Sequence, residues 1–398
     1  MSKLDFVEQD FIARQETLLN RTSSLGLKYI LVFGYGSALG AGSKSHGAMR
    51  YLTDWDSHEA SSLLILSKND KLLLLSSPFM VPAAQQKYSM TTIVYMPPTK
   101  WAEFLSLKFG QNSAVGIIGF DEMPISVYRP LTPLVEGPDS IDLEHYLSMM
   151  RVIKDESEVA LHKKGAAICD EIFLFLKEAF NNGKAVWEIQ LALETRARYL
   201  GADYCKTWLT VRPFADYPRY WPEEGEYEPQ QGDQILFGIA LSVSGHWAHG
   251  IRMGSVGPAT KDHKLLWGLV MDMLARGADC LSLDNGLNSC ELMMDEILEQ
   301  YKSENKISVI KHFRNGHGLG TSYEEPLTTE YFPQHFGSDL PSKTKLTELM
   351  VKPSMLFELH PNIFIPDVGG AAIGEMLLTT KDGVESLLKF PTELFELK

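Results

Sequence analysis

QGDQILFGIALSVSGHWAHGIR, residues 231–252, is two short apolar runs hinged on small residues. Gly232-Asp233 makes a tight turn into Ile235, Leu236, Phe237, Ile239 and Leu241. Ser242 to Gly245 then turns the chain back through Trp247 and Ile251. Apolar runs separated by Gly and Ser predict a β-hairpin.

Upstream, Phe6 to Ser24 has a helical apolar period, Tyr29 to Phe33 reads as a buried strand, and Ser61–Ser67 with Lys71–Ser76 reads as a hairpin across Lys68-Asn69-Asp70. Trp101 to Phe109 is a short amphipathic helix and Val115 to Phe120 another buried strand, which together describe an α/β domain. The glycine-rich run from Gly34 to Ser45 lacks the Gly-Lys-Ser/Thr ending of a phosphate loop, no helix pattern follows it, and it reads as a surface loop. Pro138 to Asp142 is the expected linker, dividing the chain into domains at 1–145 and 146–398. Beyond it, a long amphipathic helix should stop at Asn181-Asn182-Gly183, and a second should cover Trp187 to Leu200. Helical patterns return at Lys264–Ala275, broken at Gly277, and at Cys290–Tyr301. Helix, glycine-bearing loop, helix and strands thus occur twice, a weak internal duplication.

The 398 residues are 44% hydrophobic and 22% charged, with a formal net charge of −14. That balance fits a globular protein and disfavours nucleic-acid or anionic-membrane partners. The opening MSKLDFVEQDF has no apolar core of a secretory signal, and no apolar run approaches the ~18 residues of a membrane span. Cys169, Cys205, Cys280 and Cys290 are scattered without a CxxC pair, so a cytoplasmic protein with reduced, buried thiols is expected.

Several stretches, in order and spacing, resemble the creatinase/prolidase/methionine aminopeptidase family across nearly the whole chain. They are Met49-Arg-Tyr-Leu-Thr53, which looks like the family's strand entry, and Arg151-Val-Ile-Lys154-Asp155 with Glu158. They continue with the 231–252 hairpin, Gly316-His317-Gly318-Leu319-Gly320 and Glu325-Pro326, then Leu356-Phe-Glu-Leu-His360-Pro361, Gly369-Gly370 and Leu377 to Gly383. The resemblance implies an N-terminal α/β domain, a C-terminal "pita-bread" domain and a homodimer.

Family peptidases hold two metal ions with two Asp, one His and two Glu, since carboxylates bridge hard divalent cations. By the resemblance, the two Asp positions here are Gly238 and His249, the His is His317, and the two Glu positions are His360 and Gly374. Glu375 is one residue out of step, and strand alternation aims it to the other face. The dinuclear carboxylate site is therefore expected to be gone, leaving His249, His317 and His360.

Three imidazoles can hold one divalent transition metal with an open position, or work without metal as acid/base groups. For each His taken alone, a satisfied core histidine is the competing explanation. His246 and His312 match no ligand position. The stretch where creatinase carries its catalytic His reads Tyr217 to Pro222 and has no His, so Tyr220 is the candidate there for proton donation or stacking. Arg252, Glu324 and Trp247 are expected to contact substrate, Arg252 by bidentate pairing or else as a structural ion pair. Glu324 and Glu325 stand near the family's His–Glu pair, with Tyr323 or Glu324 at the His place.

The expected function is hydrolysis of a C–N bond in a small nitrogen-containing metabolite, as in the metal-free creatinase branch. A mononuclear three-His oxygenase or lyase is one alternative. The other is a non-catalytic binding module, since this fold also serves in proteins that bind histones or RNA.

Overall fold

A computed structural model describes residues 8–110, 113–182, 185–214, 225–307, 313–333, 348–365 and 367–397. The chain forms two compact units: residues 1–152 with 320–327, and residues 153–319 with 328–398. The division falls after Val152 and not at 145/146, because a helix over Glu144–Arg151 runs unbroken through the expected boundary.

The N-terminal unit is a six-stranded sheet in the order β4-β3-β2-β1-β5-β6. Its strands are β1 (Tyr29–Tyr35), β2 (Ser61–Leu66), β3 (Lys71–Leu75), β4 (Thr92–Tyr95), β5 (Val115–Ile118) and β6 (Ser140–Asp142). Its helices include α1 (Glu8–Arg21), α2 (Lys44–Thr53), α3 (Val81–Lys87), α4 (Trp101–Phe109) and α5 (Glu144–Arg151). Because β1 to β3 are apolar at nearly every position, both sheet faces are buried. Ile30 and Val32 pack with Leu18, Met49, Leu52 and Leu147 on one side. Leu31 and Phe33 pack with Trp101, Leu105 and Phe109 on the other.

Three expectations fail in this unit, the first being that no helix follows the glycine-rich run: α2 opens at Lys44. Met49–Thr53 lies in α2, not in a strand, and Ser43 caps that helix by accepting from the His46 N–H. Residues 140–142 of the expected linker form the edge strand β6, paired in parallel with β5. Arg151 is buried and donates to Glu325 Oε1 at 2.8 Å and Ser322 Oγ at 2.7 Å, so a conspicuous charged pair closes this unit internally.

In the C-terminal unit, α6 (Glu156–Asn182) and α7 (Val186–Tyr199) lead into β7 (Tyr204–Arg212), β8 (Gln234–Val243) and β9 (His246–Val256). The β8–β9 hairpin is closed by a two-residue turn, Ser244 and Gly245, at φ 48° and 76°. Positive φ at both positions is the primed turn whose twist matches paired strands, which is why this hairpin is legible in sequence. Then follow α8 (Lys261–Asp279), α9 (Asn288–Asn305), β10 (Gly316–Gly318), β11 (Leu356–Leu359), β12 (Asn362–Ile365), β13 (Gly369–Ala372), β14 (Glu375–Thr380), β15 (Gly383–Ser386) and β16 (Phe395–Leu397). The helix α8 does not break at Gly277, which lies inside it where Met294 of α9 packs close. Two four-stranded sheets, β16-β9-β8-β7 and β10-β11-β14-β15, meet at a bridge between Ile251 and Gly374.

Alternation along β9 decides what each side chain can do. His246, Ala248, Gly250 and Arg252 face α6, while Trp247, His249 and Ile251 face the opposite way. Arg252, expected to hold substrate, is thus on the wrong face: three positions from His249 puts it on the other side of the strand. It is fully buried, with its guanidinium 5.1 Å from the Phe173 ring. It donates to Gly374 O at 2.7 Å and Phe390 O at 2.8 Å and pairs with Glu375. Burial pushes the Glu375 carboxyl up, and Arg252 and Ser386 offset this only in part.

Removing one member of a buried pair strands the other. Arg252→Ala should therefore lower unfolding free energy by about 3–5 kcal/mol in chemical denaturation. Replacing both Arg252 and Glu375 by apolar residues should cost clearly less than the two single changes summed. A loss under about 1 kcal/mol for Arg252→Ala would show that the pair is not a structural clamp.

Candidate active site

Three strands build the centre. β10 pairs antiparallel with β11 so that His317 lies opposite Glu358, and β11 pairs with β14. Side chains directly opposite share a face, and so do residues two apart on one strand. His317, Glu358 and His360 therefore project together, and β9 brings His249 to meet them. One ligand atom from each of His249, His317, Glu358 and His360 lies within 4.8 Å of the others, and all four residues are buried.

Glu358 is at the middle. His360 Nδ1 hydrogen-bonds its Oε2, His249 Nδ1 lies 3.3 Å from the same oxygen and His317 Nε2 lies 3.9 Å from it. The rings of His249 and His317 stack at 5.7 Å with 17° between planes, and His360 lies 5.6 and 5.4 Å from them. His317 Nδ1 is 3.1 Å from Gly318 O, the bond that selects the Nδ1–H tautomer and turns the Nε2 lone pair toward Glu358. Thr328 Oγ1 fixes that segment by accepting from Gly318 N at 2.7 Å. Burial pushes the Glu358 carboxyl up, yet the charges and hydrogen bonds of His249 and His360 outweigh it and hold the group well below the carboxylate range.

Glu358 is the member of the cluster that the sequence expectation lacks, since there all four carboxylates of the two-ion site are gone. The signal was present: an acid inside the apolar run Met355–Leu359, two residues before His360, must either be paired or be costly. Its arrival explains Gly374. A Cβ at 374 would collide with Glu358 Oε1 and come 2.8 Å from Ile251 N, so only glycine leaves room for the carboxylate. Position 238 shows the same logic. Gly238 lies opposite Trp208 on β7, and a Cβ there would be 3.2 Å from Trp208 Cε3. The indole packs over the missing side chain, with its ring 5.7 Å from that of His249.

The structure thus brings His249, His317 and His360 into one cluster. Trp247 shares the His249 face of β9, buried with its ring 5.4 Å from Tyr204. Glu324 is half-buried in the 320–327 segment, which belongs to the N-terminal unit. Tyr220 and His312 lie outside the described residues. His246 points the other way, its ring 5.3 Å from that of His162 on α6.

The donor set suits one divalent transition metal. It has three imidazoles and one carboxylate, a buried Glu358 Oε1 with no hydrogen bond among the described residues, and a His317 ring whose other nitrogen is held by a backbone carbonyl. At 238 and 374, where the resemblance puts two of the carboxylates of the two-ion site, the chain has glycines with Trp208 and Glu358 lying over them.

A profile of metallopeptidase family M24 matches residues 160–381, more than half of the chain. The chain belongs to metallopeptidase family M24, hydrolases of the creatinase/aminopeptidase type with the pita-bread fold. The Xaa-Pro dipeptidase of Pyrococcus horikoshii is 23% identical over 248 residues, covering 62% of this chain and 65% of that one. Creatinase of Bacillus sp. is 23% identical over 283 residues, 68% and 65% of the two chains. Among solved structures, the X-Pro aminopeptidase of Thermotoga maritima superposes at a TM-score of 0.76 with 17% identity, covering 96% of this chain and 99% of that one. No helix among the described residues is long and apolar enough to cross a membrane, and the four cysteines are free.

The spatial exchange at 374 and 358 makes a double-mutant prediction. Gly374→Ala should destabilise by about 2 kcal/mol or more through overpacking. In a Glu358→Ala background the added cost should fall by about 1 kcal/mol or more, since the colliding carboxylate is gone. Strict additivity in urea unfolding would show that the two positions do not share space.

Proposed function

We propose that the protein hydrolyses a C–N bond of a small, nitrogen-containing, non-peptide molecule at a centre formed by His249, His317, Glu358 and His360. The same side chains hold a single divalent transition-metal ion. The observation that carries this reading is the convergence of their four ligand atoms within 4.8 Å in a buried site. An ion so held would supply Lewis acidity and a water of lowered pKa. The protein's own contribution is positional. Gly318 O fixes the His317 tautomer, Glu358 holds the His249 and His360 rings in place, and burial keeps bulk water from the reacting group. Loss of the two-ion carboxylate arrangement favours a substrate other than a peptide, and the likeness to creatinase supports this direction.

A metal-free version has its own supporting observation. Glu358 pairs with His360 and lies 3.3 Å from His249, making imidazole–carboxylate pairs able to relay a proton without an ion.

Elemental mass spectrometry of untagged protein purified without added metal separates the two. About one equivalent of a transition metal is expected, with affinity lowered roughly tenfold or more by His360→Ala and by Glu358→Gln. Both variants should also lose about a hundredfold or more in turnover on a panel of amides, amidines and guanidino compounds. Activity with no metal bound or taken up moves the chemistry to the imidazole–carboxylate pairs. Full activity in both variants would remove this centre from the reaction.

A further inference from the structure

Asn315 stands two residues before His317 and is fully buried. Its carbonyl accepts from the His360 N–H at 2.7 Å, which extends the β10–β11 ladder by one pair and places Asn315 opposite His360. By the alternation that groups His317, Glu358 and His360, the Asn315 side chain projects from that same face. Neither its Oδ1 nor its Nδ2 has a hydrogen bond among the described residues. By contrast Asn362 nearby spends its amide fully: Nδ2 donates to Arg314 O and His360 O, and Oδ1 accepts from Phe313 N. A sealed carboxamide with donor and acceptor both unspent is costly and needs an explanation.

We infer that Asn315 is a substrate-binding residue of the His/Glu centre, reading a planar group that carries a hydrogen-bond donor beside an acceptor. A primary amide or a urea has that pattern, matched by the C=O and NH2 of the Asn side chain. The inference rests on the proposed reading of the centre and specifies its substrate class. A site built around such a pair rejects analogues that cannot complete it, because its own polar atoms would stay unpaired.

The test compares protein as purified with Asn315→Leu, an apolar near-isostere, and Asn315→Ala. An Asn kept for a ligand is a liability in the free protein, so Asn315→Leu should raise the melting temperature by roughly 1–3 °C. Binding is read by 19F NMR titration with trifluoroacetamide and with its N,N-dimethyl derivative, which has no donor. Trifluoroacetamide should bind the parent protein saturably and more tightly than the dimethyl compound. Both variants should weaken it by roughly tenfold and lose the preference. A lower melting temperature in both variants would mean that the amide has an internal partner, and overturns the inference. So does trifluoroacetamide binding that is absent or indifferent to Asn315. Failure of the centre itself looks different: metal content or turnover unaffected by His360→Ala, whatever the Asn315 variants do.

Discussion

The constraint on which the C-terminal unit turns is the burial of one carboxylate. Glu358 has no access to solvent, and an isolated charge there would cost several kcal/mol. It is tolerable because His249 and His360 pair with it, on segments brought together by the β10–β11 register and the Ile251–Gly374 bridge. The backbone around it is shaped to the same requirement. Position 374 lacks a side chain because the carboxylate takes that volume, and Gly318 is pinned so that His317 presents the correct nitrogen. Packing, electrostatics and the donor set are thus one arrangement seen three ways.

A second constraint is parity. On β9 the odd-numbered residues from Trp247 to Ile251 face the centre, and the even-numbered ones meet α6. The strand therefore presents the His/Glu cluster on one face and the helix packing on the other. His249 joins the His/Glu cluster on one side, while Arg252 is locked by Glu375, Gly374 O and Phe390 O on the other. A guanidinium so enclosed has no donor geometry left for a ligand's carboxylate, whatever its proximity in sequence suggests.

Much of this was legible in the residues. The hairpin announced itself by its Ser-Gly turn, the long helix by its period, and Glu375 by the alternation that sends it away from the centre. The same alternation, applied two residues back from His360, would have found Glu358, and applied three residues on from His249 would have moved Arg252 to the scaffold. Neither position matches a family ligand by the resemblance, so no motif marks Glu358 or separates Arg252 from the centre. Met49–Thr53 is apolar enough for a strand, but the cap at Ser43 makes it a helix. Asn315 carried no motif at all, since only burial and the absence of a partner distinguish it.

The fit of Trp208 against Gly238, and of Glu358 against Gly374, also limits what each position can become. Each glycine is compatible with its bulky neighbour, and each neighbour with its glycine, but a side chain at 374 would collide with the carboxylate and one at 238 would press on the indole. Position 374 therefore admits no side chain while Glu358 keeps its place, whereas position 238 admits one only if the indole gives way by a few tenths of an ångström. The two pairs therefore behave as coupled positions, each glycine tied to the side chain that lies over it.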